Sequence, residues 1–287
     1  MIRRFARFAC IDWSGAAGAF QPGIAVAVCE PGGAPMLVEP EGRHWSREAV
    51  LRWLGRQDDM LVGIDFSASF PFADAGAYFP GWAESPRDAR ALWALVDRMT
   101  ANEPHLGAST LVDHGELSRH FRRHGGRTGD LFGGGIGRMR VTERAAQAAG
   151  LAPSSSFNLV GAAQVGKASL AGMRLLHRLA GRVAAWPFDP VPASGPLIVE
   201  IYTSLTARAA GLAKGRSKMR SAEALDAALA ALGHPPHAPL GHYDDHRTDA
   251  LLGAAWLADA ARDEALWHPA GLTATLAETE GWTFGLA

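Results

Sequence analysis

The chain has 287 residues, of which 48% are hydrophobic and 20% are charged. This length and composition exclude a disordered or fibrous protein and suit one large domain, or a core domain that carries an insertion. The formal net charge of -1 excludes a general attraction to nucleic acid, so binding of that kind would depend on local basic patches.

The composition also bounds redox chemistry and location. Cys10 and Cys29 are the only cysteines and each lies inside an apolar run. We expect core thiols, and neither a disulfide framework nor a zinc site made by cysteines alone. No apolar run approaches the roughly 20 residues that span a bilayer. Met1–Arg4 carries charge without a signal-type apolar core behind it, so we expect a cytoplasmic protein that does not bind membranes.

The first part of the chain predicts three strands, a helix and a fourth strand. The apolar runs Phe5–Asp12, Ile24–Cys29 and Met36–Val38 are separated by turns rich in Gly and Pro. Ser46 is a candidate N-cap for the helix that follows. Met60–Ser67 is a second strongly apolar strand, and like the first it leads to an aspartate.

Residues 71–156 have a different character. Helical patterns over Pro86–Met99 and about Glu116–Arg123 alternate with glycine-rich stretches such as Gly133–Gly137, and no strong strand pattern is present. The glycine run does not have the spacing of a dinucleotide fingerprint, and no strand precedes it. We predict a mostly helical insertion that packs on the α/β core, within a single domain of residues 1–287.

The last part of the chain returns to an α/β pattern. Gly161–Leu179 predicts a helix, Trp186–Asp189 a turn and Leu197–Tyr202 a fifth strand. Further helices are predicted over Leu205–Leu212, over Ser221–Leu232 and from about Asp244. The whole pattern therefore predicts an α/β fold with a mixed five-stranded sheet flanked by helices.

Carboxylates mark these predicted elements. Asp12 and Asp65 end the first and fourth strands, and Glu200 lies inside the fifth. An ionised carboxylate among apolar neighbours is unfavourable unless it is paired or binds a cation. Asp245 and Asp249 are four residues apart, so they share one face of the last helix, where like charges repel. Oxygen ligands of this kind favour Mg²⁺ or Mn²⁺, and paired ions suit attack of water on a phosphodiester.

Each acid also has a purely structural explanation. Asp12 and Asp65 can make turn hydrogen bonds at strand ends. Glu200 can pair with an arginine, and Asp245 or Asp249 can be the N-cap of the last helix. The joint occurrence of acids on three strands and one helix favours a shared metal site over these separate explanations.

At this point the residues resemble a known family. The strand-strand-strand-helix-strand opening with an aspartate in the first strand is similar to the RNase H-like fold. More specifically, the chain resembles domain-of-unknown-function family 429, which is described as a family of predicted RNase H-like nucleases. The resemblance depends on segments that occur in the right order over most of the chain, namely Ile11–Gly15, Val62–Asp65, Arg140–Glu143, Gln164–Met173, Trp186–Asp189, Val199–Tyr202 and Asp245–Leu251. It implies that Asp12, Asp65 and Asp249 are the metal-binding acids, with Glu200 and Asp245 as further catalytic carboxylates.

Other residues extend this hypothesis. Thr203 stands where the family pattern has Pro, and we expect this difference to alter only the local turn. Lys167, which lies in a matching segment, and Lys214 and Arg216, which lie where basic residues alternate, are candidate contacts for substrate phosphates. The alternatives are a salt bridge at a helix start for Lys167 and a solvated basic loop for the other two. His246 lies between two of the acids and is a candidate for proton transfer.

The sequence therefore predicts a metal-dependent nuclease that cuts phosphodiester bonds of DNA or RNA with bound Mg²⁺ or Mn²⁺. An actin-like nucleotide-binding phosphotransferase is an alternative with a similar core, although such proteins usually need two cores and glycine-rich phosphate loops. A non-catalytic binding protein of the same fold is the third possibility. In that case the acids would be paired with nearby arginines.

Overall fold

The computed structural model describes residues 5–161, 165–213 and 218–287. Its strands are β1 (Arg7–Asp12), β2 (Ala25–Cys29), β3 (Met36–Leu37), β4 (Met60–Ile64), β5 (Arg122–Arg123), β6 (Arg127–Thr128), β7 (Ala184–Trp186) and β8 (Leu197–Glu200). Its helices are α1 (Arg47–Leu54), α2 (Ala89–Met99), α3 (Gly115–Ser118), α4 (Val141–Ala148), α5 (Gly166–Leu179), α6 (Thr203–Ala209), α7 (Ala222–Ala231), α8 (Asp245–Ala260), α9 (Glu264–Trp267) and α10 (Ala274–Glu278), with a 3-10 turn over Thr110–Asp113.

The main sheet is mixed and has six strands in the order β3-β2-β1-β4-β8-β7. β2 is antiparallel to β1 and to β3, whereas β4, β8 and β7 run parallel to β1. All five residues of β4 are buried, as expected for a central parallel strand covered on both faces. The predicted mixed sheet flanked by helices is thus confirmed at the level of an α/β fold.

The predicted number of five strands is wrong. Ala184–Trp186 forms a sixth strand at the edge of the sheet, where it is parallel to β8. Only its last residue was assigned from the sequence, and that assignment was to a turn. Three residues are too few to display the two-residue alternation by which a strand is recognised.

The two faces of the sheet are covered by different helices. α2 and α5 pack together against the face that carries Ile11, Val62 and Ile198. α8 covers the opposite face, and a Cβ on its Gly253 would lie 2.4 Å from Cys10 Sγ. Glycine therefore allows α8 to cross β1 closely, with its first turns beside the carboxyl end of β1.

Residues 71–156 are less helical than predicted. The helix over Pro86–Met99 is confirmed as α2, but α3 ends at Ser118 and Arg122 enters the β5–β6 hairpin. Phe70, Phe121 and Phe157 stack in the same hydrophobic core as the sheet. The assignment of residues 71–156 as an insertion in a single domain of residues 1–287 stays a prediction.

Helix starts follow the local chemistry of the chain. Ser46 Oγ accepts a hydrogen bond from Ala49 N at 3.0 Å, so the predicted N-cap of α1 is confirmed. The N-cap of α8 is Asp244, whose Oδ1 accepts from Arg247 N at 2.9 Å. Neither Asp245 nor Asp249 is therefore needed as a cap. In the described part of the chain, no helix has both the length and the apolar character that a membrane crossing requires.

Candidate functional site

The strand register brings Asp12 and Asp65 to one edge of the sheet. Ile11 lies opposite Ile64 in the parallel β1–β4 pair, and Asp65 N donates to Ile11 O at 3.1 Å. Each aspartate follows its isoleucine. Since side chains alternate along a strand, both aspartates lie on the face of Cys10, which α8 covers.

Asp249 joins these two acids from the second turn of α8. Burial, followed by the charges of Asp12 and Asp65, raises the pKa of Asp249 to about 8. Burial, followed by the charge of Asp12, raises the pKa of Asp65 to about 7. Within the described residues, the Asp249 carboxylate accepts no hydrogen bond and has no cationic partner. These three acids, which we call the aspartate cluster, are close enough to repel one another, and no Lys or Arg among the described residues pairs with them.

Asp12 has one basic neighbour. His246 Nδ1 lies 2.6 Å from Asp12 Oδ2. This hydrogen bond raises the pKa of His246. Burial nevertheless holds the pKa of Asp12 above its usual value, against the hydrogen bond and charge of His246. The predicted candidate for proton transfer is therefore in direct contact with the cluster.

Thr203 reaches the cluster as well. Its hydroxyl donates to Asp65 Oδ2 at 2.9 Å. The expectation that this residue alters only the local turn is wrong, because its side chain fixes one oxygen of the fourth-strand acid. A proline at this position would have no hydroxyl to donate.

Glu200 lies apart from the aspartate cluster. It stands opposite Ile64 in the β4–β8 register, so its side chain belongs to the opposite face from Asp12 and Asp65. Its Oε1 accepts from Arg140 Nη2 at 2.5 Å and from Thr283 Oγ1 at 2.7 Å. Its Oε2 accepts from Arg140 Nη1 at 2.8 Å and from Ala68 N at 2.7 Å. With four donors on two oxygens, Glu200 is saturated in this geometry and is not available as the further catalytic carboxylate that the sequence suggested.

Arg140 connects two of the segments that carried the family resemblance. It is 1% exposed, and its Nη2 also donates to Glu143 Oε1 at 2.6 Å. Its Nη1 donates to the backbone oxygen of Glu280 at 2.9 Å. Arg140, Glu143 and Glu200 form a buried ion network, which explains why an arginine and two glutamates stand among apolar neighbours.

Asp245 is paired too. Lys218 Nζ lies 2.6 Å from its Oδ2, and Arg220 Nε lies 3.4 Å from its Oδ1. Burial opposes the ionised form, but the hydrogen bonds from both basic side chains hold the pKa of Asp245 below its usual value. Its charge still raises the pKa of Asp249, so Asp245 is a charged neighbour of the cluster with its own partners.

The predicted phosphate contacts have different outcomes. Lys167 begins α5 beside the turn that follows β1, and its Nζ lies 2.9 Å from His124 Nε2. The alternative of a salt bridge for Lys167 is absent among the described residues. Lys214 and Arg216 lie outside the described residues.

Some site residues were missed by the sequence reasoning. Asp244 lies at the start of α8, and its charge contributes to the raised pKa of Asp12. Its signal was available, because an aspartate directly before a helix pattern is a typical N-cap. The partnership of Arg140 with Glu200 had no comparable signal, since 60 positions separate them in the chain.

The aspartate cluster has oxygen ligands of the type that a divalent cation prefers, but its carboxylates are too far apart to share one ion. Within residues 5–161, 165–213 and 218–287, no three His, Cys, Asp or Glu side chains converge closely enough to hold a metal ion as they stand. Repulsion separates like charges when no cation lies between them. Among the described residues, the Asp249 carboxylate accepts no hydrogen bond, and Asp65 accepts one side-chain hydrogen bond, from Thr203. Few contacts of the described residues would therefore have to break for these two acids to bind a cation.

Comparison of the chain with family models, with curated proteins and with solved structures finds no match in any of the three. Function is therefore argued from the site itself.

Proposed function

We propose that the protein is a nuclease that hydrolyses phosphodiester bonds of DNA or RNA, with Mg²⁺ or Mn²⁺ held by Asp12, Asp65 and Asp249 in an RNase H-like core. The observation that carries this proposal is the aspartate cluster, three acids from two strand ends and one helix that have no Lys or Arg partner among the described residues. Oxygen-only donors of this kind favour Mg²⁺ or Mn²⁺.

The pattern of ion pairs favours this proposal over a non-catalytic role. A binding protein that had lost its chemistry would pair its acids with arginines. Glu200 and Asp245 are paired in that way, whereas Asp12, Asp65 and Asp249 have no Lys or Arg partner among the described residues. The three acids that lack such a partner are the three that the family resemblance implies as metal ligands.

The roles of the side chains follow from their positions. A bound divalent cation would supply Lewis-acid polarisation of the phosphoryl group and would lower the pKa of a bound water. Asp12 is anchored on the central strand, and Asp65 is oriented by Thr203. His246 Nδ1 lies 2.6 Å from Asp12 Oδ2, so a proton lies between the two side chains. His246 can exchange this proton with solvent, because its side chain is 49% exposed. This proton can neutralise a leaving oxygen.

The test is cleavage of labelled single-stranded DNA and RNA by the purified full chain with Mn²⁺. We expect cleavage that EDTA abolishes and that Asp12→Asn or Asp249→Asn lowers at least about 100-fold, since even indirect partners of a metal site contribute 10–100-fold. Asp58→Asn, an exposed acid outside the cluster, is the matched control and should cleave normally. Absence of cleavage, or equal cleavage by Asp12→Asn, would refute the proposal.

A further inference from the structure

A separate cavity of about 350 Å³ lies beside the turn that follows β1. Its walls come from this turn, from the loop before the 3-10 turn, from the β5–β6 hairpin and from the first two turns of α5. Its volume is within the range of small-molecule sites. Neither Asp12 nor Asp65 nor Asp249 lines it, so it is distinct from the aspartate cluster.

One side of the cavity is cationic. Lys167, Arg123 and Arg127 line it. Within the described residues, neither Lys167 nor Arg127 has a carboxylate partner. Arg127 Nε donates only to the backbone oxygen of His124, at 3.1 Å. Arg123 Nη1 donates to Val112 O at 2.9 Å, while its Nε is buried without a hydrogen-bond partner. Donors therefore remain for an anion.

The acids of the cavity wall do not cancel this charge. Glu103 is used locally, because its oxygens accept from Ser109 N at 2.8 Å and from Thr110 N at 2.7 Å. The other acid, Asp113, is 69% exposed and lies 3.7 Å from Arg123. Phosphate is the anion that such a group of Arg and Lys donors recognises best.

The cavity also has an apolar part. Ala16 and Pro104 line it, and both are exposed. A small apolar surface in the same cavity as the cationic side chains suits a flat ring attached to a phosphate group. Inorganic phosphate alone would leave this surface unused.

The wall between the cavity and the aspartate cluster is held in place. Arg47 is 2% exposed and donates to Ser14 O at 3.0 Å and to His105 O at 2.8 Å. His105 has a φ of 59°, a left-handed conformation that a non-glycine residue adopts at an energetic cost and that often occurs at binding sites. A Cβ on Gly15 would lie 2.3 Å from Ala168 N, so the turn packs directly on the start of α5.

The cavity is also close to the aspartate cluster. Gly15, which lines the cavity, is three residues after Asp12, so their Cα atoms are at most about 11 Å apart. The two sites are therefore neighbours, close enough for one strand to contact both.

We propose that this cavity binds a nucleoside monophosphate unit, with the phosphate on Lys167, Arg127 and Arg123 and the ring on Ala16 and Pro104. The unit is a free nucleotide or the phosphorylated end of a strand. Its role in placing a strand for cleavage depends on the proposed nuclease function, whereas binding of the unit does not.

Calorimetric titration of the full chain in EDTA tests the binding. We expect adenosine or uridine monophosphate to bind at least about tenfold more tightly than inorganic phosphate or the unphosphorylated nucleoside, because only the monophosphates use both parts of the cavity. The double variant Lys167→Gln/Arg127→Gln should lose at least about tenfold in affinity, as charged hydrogen bonds to phosphate are removed. Ala17→Trp, which places a large ring at the exposed rim, should block binding without disturbing the core.

The matched control is Arg52→Gln/Arg56→Gln, which removes two exposed arginines far along the surface and should bind normally. Equal affinity of the Lys167/Arg127 double variant, or no binding of either monophosphate, would overturn the proposal. If wild type binds a monophosphate but cleaves neither DNA nor RNA with Mn²⁺, the cavity remains a nucleotide site and the nuclease function is refuted.

Strand ends distinguish the two sources of the ligand. Short oligonucleotides with a 5′-phosphate, with a 3′-phosphate or with neither are compared in the same titration. Tighter binding of one phosphorylated end identifies a strand-end site. Binding of free monophosphates but of no phosphorylated oligonucleotide overturns the role in strand placement and identifies a site for free nucleotides.

Discussion

The aspartate cluster and the Arg140 network lie at the carboxyl edge of the same sheet, yet they balance their charge in opposite ways. In the Arg140 network, Glu200 receives four hydrogen bonds. In the aspartate cluster, Asp249 receives none within the described residues, and its pKa rises to about 8. A buried acid by itself therefore does not indicate a functional site. The aspartate cluster differs from the Arg140 network because none of its acids is paired with a Lys or Arg of the described residues.

The largest expected effect comes from breaking the balanced network. Arg140→Met leaves Glu143 and Glu200 buried without a cationic partner, and we expect a loss of about 3–5 kcal/mol in the free energy of unfolding. Urea unfolding measures it, with Arg52→Met as the exposed control. If Arg140→Met fails to fold, Arg140→Lys keeps the charge and should fold with a smaller loss. A loss below about 1 kcal/mol would show that Arg140 does not balance the two buried glutamates.

The next largest effect is expected when a divalent cation is added to the aspartate cluster. Mn²⁺ at a hundredfold excess over its dissociation constant should raise the free energy of unfolding at pH 8 by about 2.7 kcal/mol. Thermal unfolding with and without EDTA measures this stabilisation. Asp249→Asn should remove it, and Asp58→Asn should keep it. An identical Mn²⁺ response in wild type and Asp249→Asn would place any bound ion elsewhere.

Without metal, removing a charge from the cluster should stabilise the protein. In the folded state the pKa of Asp249 is about 8, against an ordinary value of 3.8. The folded state therefore binds the proton more tightly, so the free energy of unfolding falls as pH rises through that interval and is lowest above it. At pH 8 in EDTA, Asp249→Asn should gain about 2 kcal/mol, less than the full shift implies because the group is partly exposed.

This gain should depend on pH in a defined direction. Asp249→Asn should be close to neutral near about pH 3, where wild type carries the proton largely in both states, and should have a flatter profile of melting temperature against pH from 4 to 8. Asp65 retains its own raised pKa of about 7, so the profile should flatten without becoming level. A destabilising effect of Asp249→Asn at pH 8 would show that the acid is compensated after all.

The smallest expected effect concerns His246, the basic side chain that contacts Asp12 in the aspartate cluster. The hydrogen bond to Asp12 raises the pKa of His246 above its ordinary 6.5, so its stabilising contribution is present below that pH and is lost as pH rises through the folded-state value. Because the His246 side chain is about half exposed, we expect His246→Gln to lose less than about 1 kcal/mol at pH 6 and nothing at pH 9. Urea unfolding at both values measures the difference, and an equal loss at both would refute a charge-dependent contact.

The central strands, the large helices and two acids of the aspartate cluster could be predicted without a structure. The Phe5–Asp12 and Met60–Ser67 runs are apolar over the length of a buried strand, so burial on both faces could be inferred without a structure. Asp12 and Asp65 end these runs, and parallel neighbours bring such ends to one edge. Their convergence follows from local pattern and simple topology.

Which acids lie on the same face of the sheet could be read only from the tertiary structure. Glu200 looks equivalent to Asp12 and Asp65 in the sequence, but the β4–β8 register sets it beside Ile64, and a shift of one residue turns a side chain to the opposite face. Its partner Arg140 comes from a distant helix start, and Thr203 reaches Asp65 only because α6 begins at the end of β8. Strand β7 could not be predicted either, since three residues are too few to show the two-residue alternation of a strand. Sequence patterns report burial and periodicity within an element, whereas register and long-range pairing decide whether a buried acid is balanced or left for a cation.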